Sequence, residues 1–222
     1  MLLSNRYKFL FVHIAKTGGT SVRAALQGLR WRDPWYLPMF VCSRLSHLSG
    51  HHIAAKLPRH AKIIAAQEML PRELFQSLFK FAFVRNPWDL QVSSFHHIRH
   101  ERPHHLGGHD EFTAFLRWKL DPERPYQYHL DTSIERQSDY LIDLHGRVLT
   151  DFIGRYEQLD ADFDLVCRRL GIPTPLLPHK RRAANRQTDY RGYYTDESAQ
   201  WIADYFRRDI ELLGYRFDPE SS

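Results

Sequence analysis

The segment Phe9-Leu-Phe-Val-His-Ile-Ala-Lys-Thr-Gly-Gly-Thr-Ser21 constrains the fold more than any other in this 222-residue chain. An apolar run of aromatic and branched residues stops at Ile14. A lysine, two adjacent glycines and three hydroxyl residues follow, and then apolar residues recur at 22, 25, 26 and 29. That order predicts strand, tight turn, helix. A turn of this kind aims backbone N–H groups at one spot on the positive end of a helix, which suits a phosphate or sulfate group. Gly18 and Gly19 let the backbone take positive φ and approach an anion closely. Lys16 adds a mobile positive charge, and Thr17, Thr20 and Ser21 add hydroxyl donors.

The order differs from the common nucleotide loop, in which lysine follows the last glycine of G-x-x-x-x-G-K-[ST]. Here Lys16 precedes both glycines. A second segment, Lys80 to Phe95, has the same strand–turn–helix grammar. Phe81 to Val84 is an apolar run of buried-strand type. Pro87 suits a first helical turn, where its missing N–H costs nothing. Arg85 stands at the strand's end and Ser93 about two helical turns further on, so a guanidinium fork and a hydroxyl can converge on one phosphate.

These residues resemble those of sulfotransferases that use 3′-phosphoadenosine 5′-phosphosulfate, in the membrane-type, carbohydrate-directed (heparan and chondroitin sulfotransferase-like) branch. There the first loop commonly reads Pro-Lys-Thr-Gly-Gly-Thr-Ser, and this chain has Ala15 in place of the proline. The second motif is similar to Val-Arg-Asn-Pro-x-Asp-x-x-x-Ser, matched at Val84, Arg85, Asn86, Pro87, Asp89 and Ser93. Asp151 to Leu159 with Asp162-Phe163 resembles a third block. Leu177 to His179, Asn185, Tyr190, Tyr193 to Thr195 and Gly214 to Phe217 resemble the closing segment. The resemblance implies that Lys16, Thr17, Gly18, Gly19, Thr20 and Ser21 cradle the 5′-phosphosulfate. It implies that Arg85 and Ser93 hold the 3′-phosphate, and that the acceptor is a carbohydrate hydroxyl. It is weakest from about 100 to 140. No metal is expected, because sulfuryl transfer carries less charge than phosphoryl transfer.

Strand and helix signals alternate along the chain. Strands are expected at 6–13, 62–66, 80–85 and 148–156. Helices are expected at 20–30, from Pro71, at 87–100, 111–120 and 161–170, and in one long run from a Thr195 cap to Gly214. The expected fold is a single α/β domain over 1–222, a P-loop-like parallel sheet with helices on both faces. Ligands then bind at the carboxyl ends of the strands.

A hydroxyl attacking sulfur needs a base, and histidine is the natural one near neutral pH. Among the 14 histidines, Ser49-Gly-His-His-Ile-Ala is the best context, because related enzymes place a catalytic histidine in this interval. That register selects His52, with His51 as the alternative. His96, His97, His100, His104, His105 and His109 are expected to border the acceptor cleft. Arg186, in the basic 179–186 stretch, is expected to close over the nucleotide. Glu157 reads as a partner of Arg155, with the base as its alternative role.

Composition excludes more than it selects. A 43% hydrophobic, 26% charged chain is an ordinary globular protein. Its net charge of +5 favours an anionic small ligand; nucleic acid is not expected. Cys42 and Cys167 are too few for a disulfide framework. No apolar run reaches the ~18 residues of a membrane span. The first strand begins almost at once, so a cytoplasmic bacterial relative, or a trimmed catalytic domain, is expected. Two other classes stay open: an ATP-dependent small-molecule kinase, with Asp151 as its weak candidate for a Mg²⁺ carboxylate, and a non-catalytic module binding anionic glycans.

Overall fold

The computed structural model describes residues 1–30, 32–34, 37–38, 41, 57–178, 187 and 189–218. The apolar run opening the chain folds as a hairpin. Strand β1 (Leu2–Ser4) pairs antiparallel with β2 (Phe9–Val12), where the sequence suggests one strand over 6–13. Residues 5–8 turn instead, because a distant carboxylate satisfies the turn: Asp33 accepts from Asn5 N at 2.6 Å, Arg6 N at 3.2 Å and the Ser4 hydroxyl at 3.0 Å. Helix α1 (Gly19–Arg30) follows the loop.

The expected strand at 62–66 is a helix, α2 (Ile63–Met69), followed by α3 (Arg72–Ser77). A short apolar run does not distinguish the two states, and burial of Ile63 with Ala66 follows helical spacing. Strand β3 (Phe79–Val84) comes next, then α4 (Pro87–Glu101), α5 (Phe112–Leu120) and the single turn α6 (Tyr128–Asp131). Strand β4 is shorter than expected, Phe152–Arg155, because Val148 makes only an isolated bridge to Ile142. Helix α7 (Leu159–Arg169) follows.

The sheet order is β1-β2-β3-β4, with β2, β3 and β4 parallel. The expected α/β fold with a parallel sheet is therefore present, extended by one antiparallel edge strand. Alternation puts Phe9, Phe11, Phe81 and Phe83 on one face, where they pack with Val22 and Leu26 of α1 and Phe163, Val166 and Cys167 of α7. Phe11 and Phe81 stack with centroids 5.3 Å apart. Leu10, Val12, Ala82 and Val84 are equally buried on the other face.

The expected long C-terminal helix is two: α8 (Asp196–Tyr205) and α9 (Arg207–Leu213), broken at Phe206. The break is accompanied by a polar anchor. The carboxylate of Asp209, fully buried, accepts from Gln137 N at 2.7 Å and Ser138 N at 2.9 Å. The Thr195 cap is present as a reciprocal box with Ser198.

The fold groups into two compact units. One comprises Met1–Ile14, Gly18–Val84 and Asp139–Lys180 and holds the whole sheet. The other comprises Ala15–Thr17, Arg85–Ser138 and Arg181–Ser222. Its core is helical, with Phe95, Phe115, Leu116, Leu130, Ile202 and Phe206 buried together.

Candidate functional site

Gly18 onward belongs with the sheet, and Ala15–Thr17 with the helical unit.

In the sheet unit, Gly18 has φ +78° and its carbonyl accepts from Ser21 N at 2.9 Å and Val22 N at 3.3 Å, which starts α1. A Cβ there would lie 2.8 Å from Leu159 and 3.0 Å from Tyr156. The 156–159 turn after β4 therefore packs on the loop, which gives the third sequence block a structural reason. At Gly19 a Cβ would fall 2.3 Å from the His13 ring, so both glycines are required, one by conformation and contact, the other by contact alone.

His13 closes β2 and is 2% exposed. Sequence reasoning missed it; its one signal was a histidine ending an apolar strand just ahead of the glycines. Its Nδ1 accepts from Arg59 Nε at 3.3 Å, and its carbonyl accepts from His60 Nδ1 at 3.0 Å. Burial, then the neighbouring His60 and Arg59, push His13 from 6.5 down to about 2. Burial likewise lowers His60 to about 4. Both imidazoles are neutral at physiological pH. Arg59 also donates from Nη2 to the Thr20 hydroxyl at 3.1 Å.

In the helical unit, Lys16 has φ +65°, the left-handed region that costs a non-glycine residue about 1–2 kcal/mol. Its carbonyl accepts from Arg85 Nη1 at 3.1 Å. Arg85 is 3% exposed. Its Nε donates to Asp89 at 2.6 Å, and Gln137 brackets its backbone, accepting from N at 2.9 Å and donating to O at 2.7 Å. Thus the two motifs, 69 residues apart, share a hydrogen bond within one unit.

The next residue, Asn86, caps α4 by accepting from Trp88 N at 3.0 Å and donates to Tyr190 Oη at 3.2 Å and the Arg216 carbonyl at 3.0 Å. Tyr194 donates to the Trp88 carbonyl at 2.8 Å, and Tyr190 to that of Phe217. The closing segment singled out in the sequence therefore braces the start of α4. Ser93 is half-buried on that helix. Beside it, the amine of buried Lys119 donates to Gln91 at 2.7 Å and Ser94 at 2.9 Å, and burial holds it well below the ordinary lysine range.

His51, His52 and Arg186 lie outside the described residues. Glu157 is exposed on the turn after β4. His96 bonds Tyr193 Oη at 2.8 Å and His97 pairs with Glu101 at 3.1 Å. Among the described residues no group of three or more His, Cys, Asp or Glu is placed to hold a metal. Asp151, the carboxylate a kinase reading needs, precedes β4 at the sheet's opposite end. It bonds Lys80 N at 2.7 Å and pairs with Lys80 Nζ at 2.9 Å. A cleft of about 970 Å³ opens in the helical unit between α5 and α8, lined by Trp118, Trp201, Tyr205 and Arg117 among others. No residue of either motif lines it.

A family model described as "Sulfotransferase family" matches residues 1–216. The chain is similar to carbohydrate sulfotransferase 14 of Homo sapiens, 26% identical over 216 residues, 86% of this chain and 50% of that protein. It is 27% identical to the protein of the same name from Danio rerio over 194 residues, 70% of this chain and 49% of the relative. It is 31% identical over 108 residues to an uncharacterised protein of Archaeoglobus fulgidus, 47% of this chain and 78% of that one. The chain thus spans about half the length of the sulfotransferases it matches. No solved structure matches it significantly. Among the described residues no helix is long and apolar enough to cross a membrane.

Proposed function

The chain belongs to the sulfotransferase family, and from that premise we propose that it moves a sulfuryl group from 3′-phosphoadenosine 5′-phosphosulfate to a hydroxyl of a carbohydrate-type acceptor. The observation that carries the reading is the Arg85–Lys16 hydrogen bond of 3.1 Å. It ties the arginine expected at the 3′-phosphate to the lysine expected at the 5′-phosphosulfate.

In this reading the acceptor oxygen forms a bond to sulfur as the bond from sulfur to the 5′-phosphate oxygen breaks. The acceptor proton passes to the imidazole of His52, with His51 the neighbouring alternative. Lys16 and the N–H groups of the 17–21 loop stabilise the charge gathering on the leaving phosphate. Thr17, Thr20 and Ser21 add hydroxyl donors there. Arg85 and Ser93 hold the 3′-phosphate and so set the donor in line with the acceptor. Arg85 does so from a rigid seat, since Asp89 and Gln137 fix it on two sides. Arg186 approaches the nucleotide from the basic stretch that contains it. The kinase alternative loses support, because Asp151 is already engaged by Lys80.

Thermal shift tests the donor: 3′-phosphoadenosine 5′-phosphate should raise the melting temperature strongly and ATP–Mg²⁺ weakly. The reverse order overturns the reading. For the base, His52→Ala should lower sulfuryl transfer to a surrogate sugar by about 10²–10⁴ while nucleotide affinity by calorimetry is kept. If His51→Ala is the inactive variant, the register shifts by one.

A further inference from the structure

We propose that Arg59 is a second cation of the donor site, binding the 5′-phosphosulfate anion directly and through Thr20, and that His13 is the residue that positions it. The inference rests on the donor reading above and adds to it residues outside both motifs.

The geometry begins with His13. Its ring is walled in, 2% exposed, with Phe11 stacked beside it at 5.6 Å and Gly19 bare against its edge. A ring so enclosed has little rotational freedom. Its Nδ1 accepts from Arg59 Nε, which leaves the imidazole proton on Nε2. The neutral state is enforced by burial and by nearby positive charge. A neutral imidazole is the form that can accept from an arginine; a protonated one would repel it.

Arg59 is exposed, and an exposed arginine is ordinarily free to sample many rotamers. Here it is pinned at two points, Nε on His13 and Nη2 on Thr20 Oγ1 at the first turn of α1. Both partners are neutral acceptors, and among the described residues no carboxylate pairs with it. A guanidinium ordered at the cost of its entropy, with its charge left unneutralised, is preorganised for an anion. The Thr20 hydroxyl accepts from Arg59, so its own proton remains to donate, and the adjacent cation makes it a stronger donor. Arg59 adds a planar fork suited to two oxygens at once.

The test is calorimetry on the whole chain with two probes, 3′-phosphoadenosine 5′-phosphate and adenosine 3′-phosphate, which lacks the 5′ group. Arg59→Ala should weaken the bisphosphate roughly 10- to 100-fold, the loss of one or two charge-assisted bonds. It should leave adenosine 3′-phosphate within about twofold, since no contact to that nucleotide is removed. Arg59→Lys should recover part of the loss, and Thr20→Val should lose a smaller amount on the same probe alone. His13→Asn added to Arg59→Ala should cost no further affinity, because a positioning residue has nothing left to position. Equal losses on both probes, or none on either, overturn the proposal while the donor reading stands. If the unmodified chain binds neither probe, the donor reading falls and this inference with it. Since Arg59 is exposed, its variants fold, and Arg59→Ala with Thr20→Val decides the matter even if His13→Asn does not.

Discussion

The two strand-to-helix turns, both proposed to meet a phosphate-type group, are built by opposite means. The first turn works through what is missing. Gly18 and Gly19 have no side chains because Leu159, Tyr156 and the His13 ring occupy the space one would need. The second turn works through what is present. Arg85 is buried and held by Asp89, by Gln137 on both its backbone groups and by the Lys16 carbonyl. A turn of the first kind fails when something is added, and a turn of the second kind when something is removed. Lys16 holds its left-handed backbone with its carbonyl tied by a hydrogen bond from Arg85.

Three experiments would break or sharpen that contrast. Arg85→Ala should have the largest effect. It takes the guanidinium away from the buried Asp89 carboxylate while Gln137 keeps its two bonds to the backbone of residue 85, and breaking a buried ion pair typically costs about 3–5 kcal/mol. Chemical denaturation should show that loss without nucleotide, together with weaker donor binding. Unchanged stability would reduce Arg85 to a ligand contact and erase the distinction between the turns.

Lys16 comes next and should separate function from stability. Lys16→Ala should lower turnover by about 10²–10³, the usual worth of one preorganised charge donor, with the fold kept. Lys16→Gly should be as inactive yet more stable than Lys16→Ala, because glycine takes φ > 0 freely. Should the two variants have equal melting temperatures, the left-handed backbone at Lys16 stores no strain.

The smallest effect is the pH response of the first turn. His13 lies at about 2 in the fold against an ordinary 6.5, so below ~6.5 the unfolded chain takes up a proton that the fold refuses. Stability from this group is full above the ordinary value and declines as pH falls. By about pH 5 the loss is roughly 2 kcal/mol. Urea midpoints at pH 7 and 5 should differ more for the unmodified chain than for His13→Asn. Parallel shifts in the two would show that His13 titrates normally.

Much of this was legible in the residues. Strand β3, helices α1, α4, α5 and α7 and the Thr195 cap follow from periodicity and capping chemistry confined to a few neighbours. The residues Lys16 to Ser21, Arg85 and Ser93 stand out in the sequence because the chemistry that suggests their proposed roles is local. Helix α2 stands where a strand is expected because four apolar residues, Ile63 to Ala66, fit either period.

The turn at 5–8 and the break at Phe206 are a different case. The carboxylate that satisfies the first is Asp33, and Asp209 beyond the second anchors residues 137 and 138. No local pattern announces such partners.

The sequence by itself determined the parallel α/β sheet and the strand–turn–helix form of both motifs, on which the proposed anion binding rests, because helical and strand periods and glycine's φ are properties of short segments. Only the tertiary structure decided that His13 is neutral, that Arg59 is ordered, and that Arg85 holds the Lys16 carbonyl. Those states depend on burial and on bonds between residues 46 and 69 positions apart. Packing of the whole chain sets them, and no segment carries them alone.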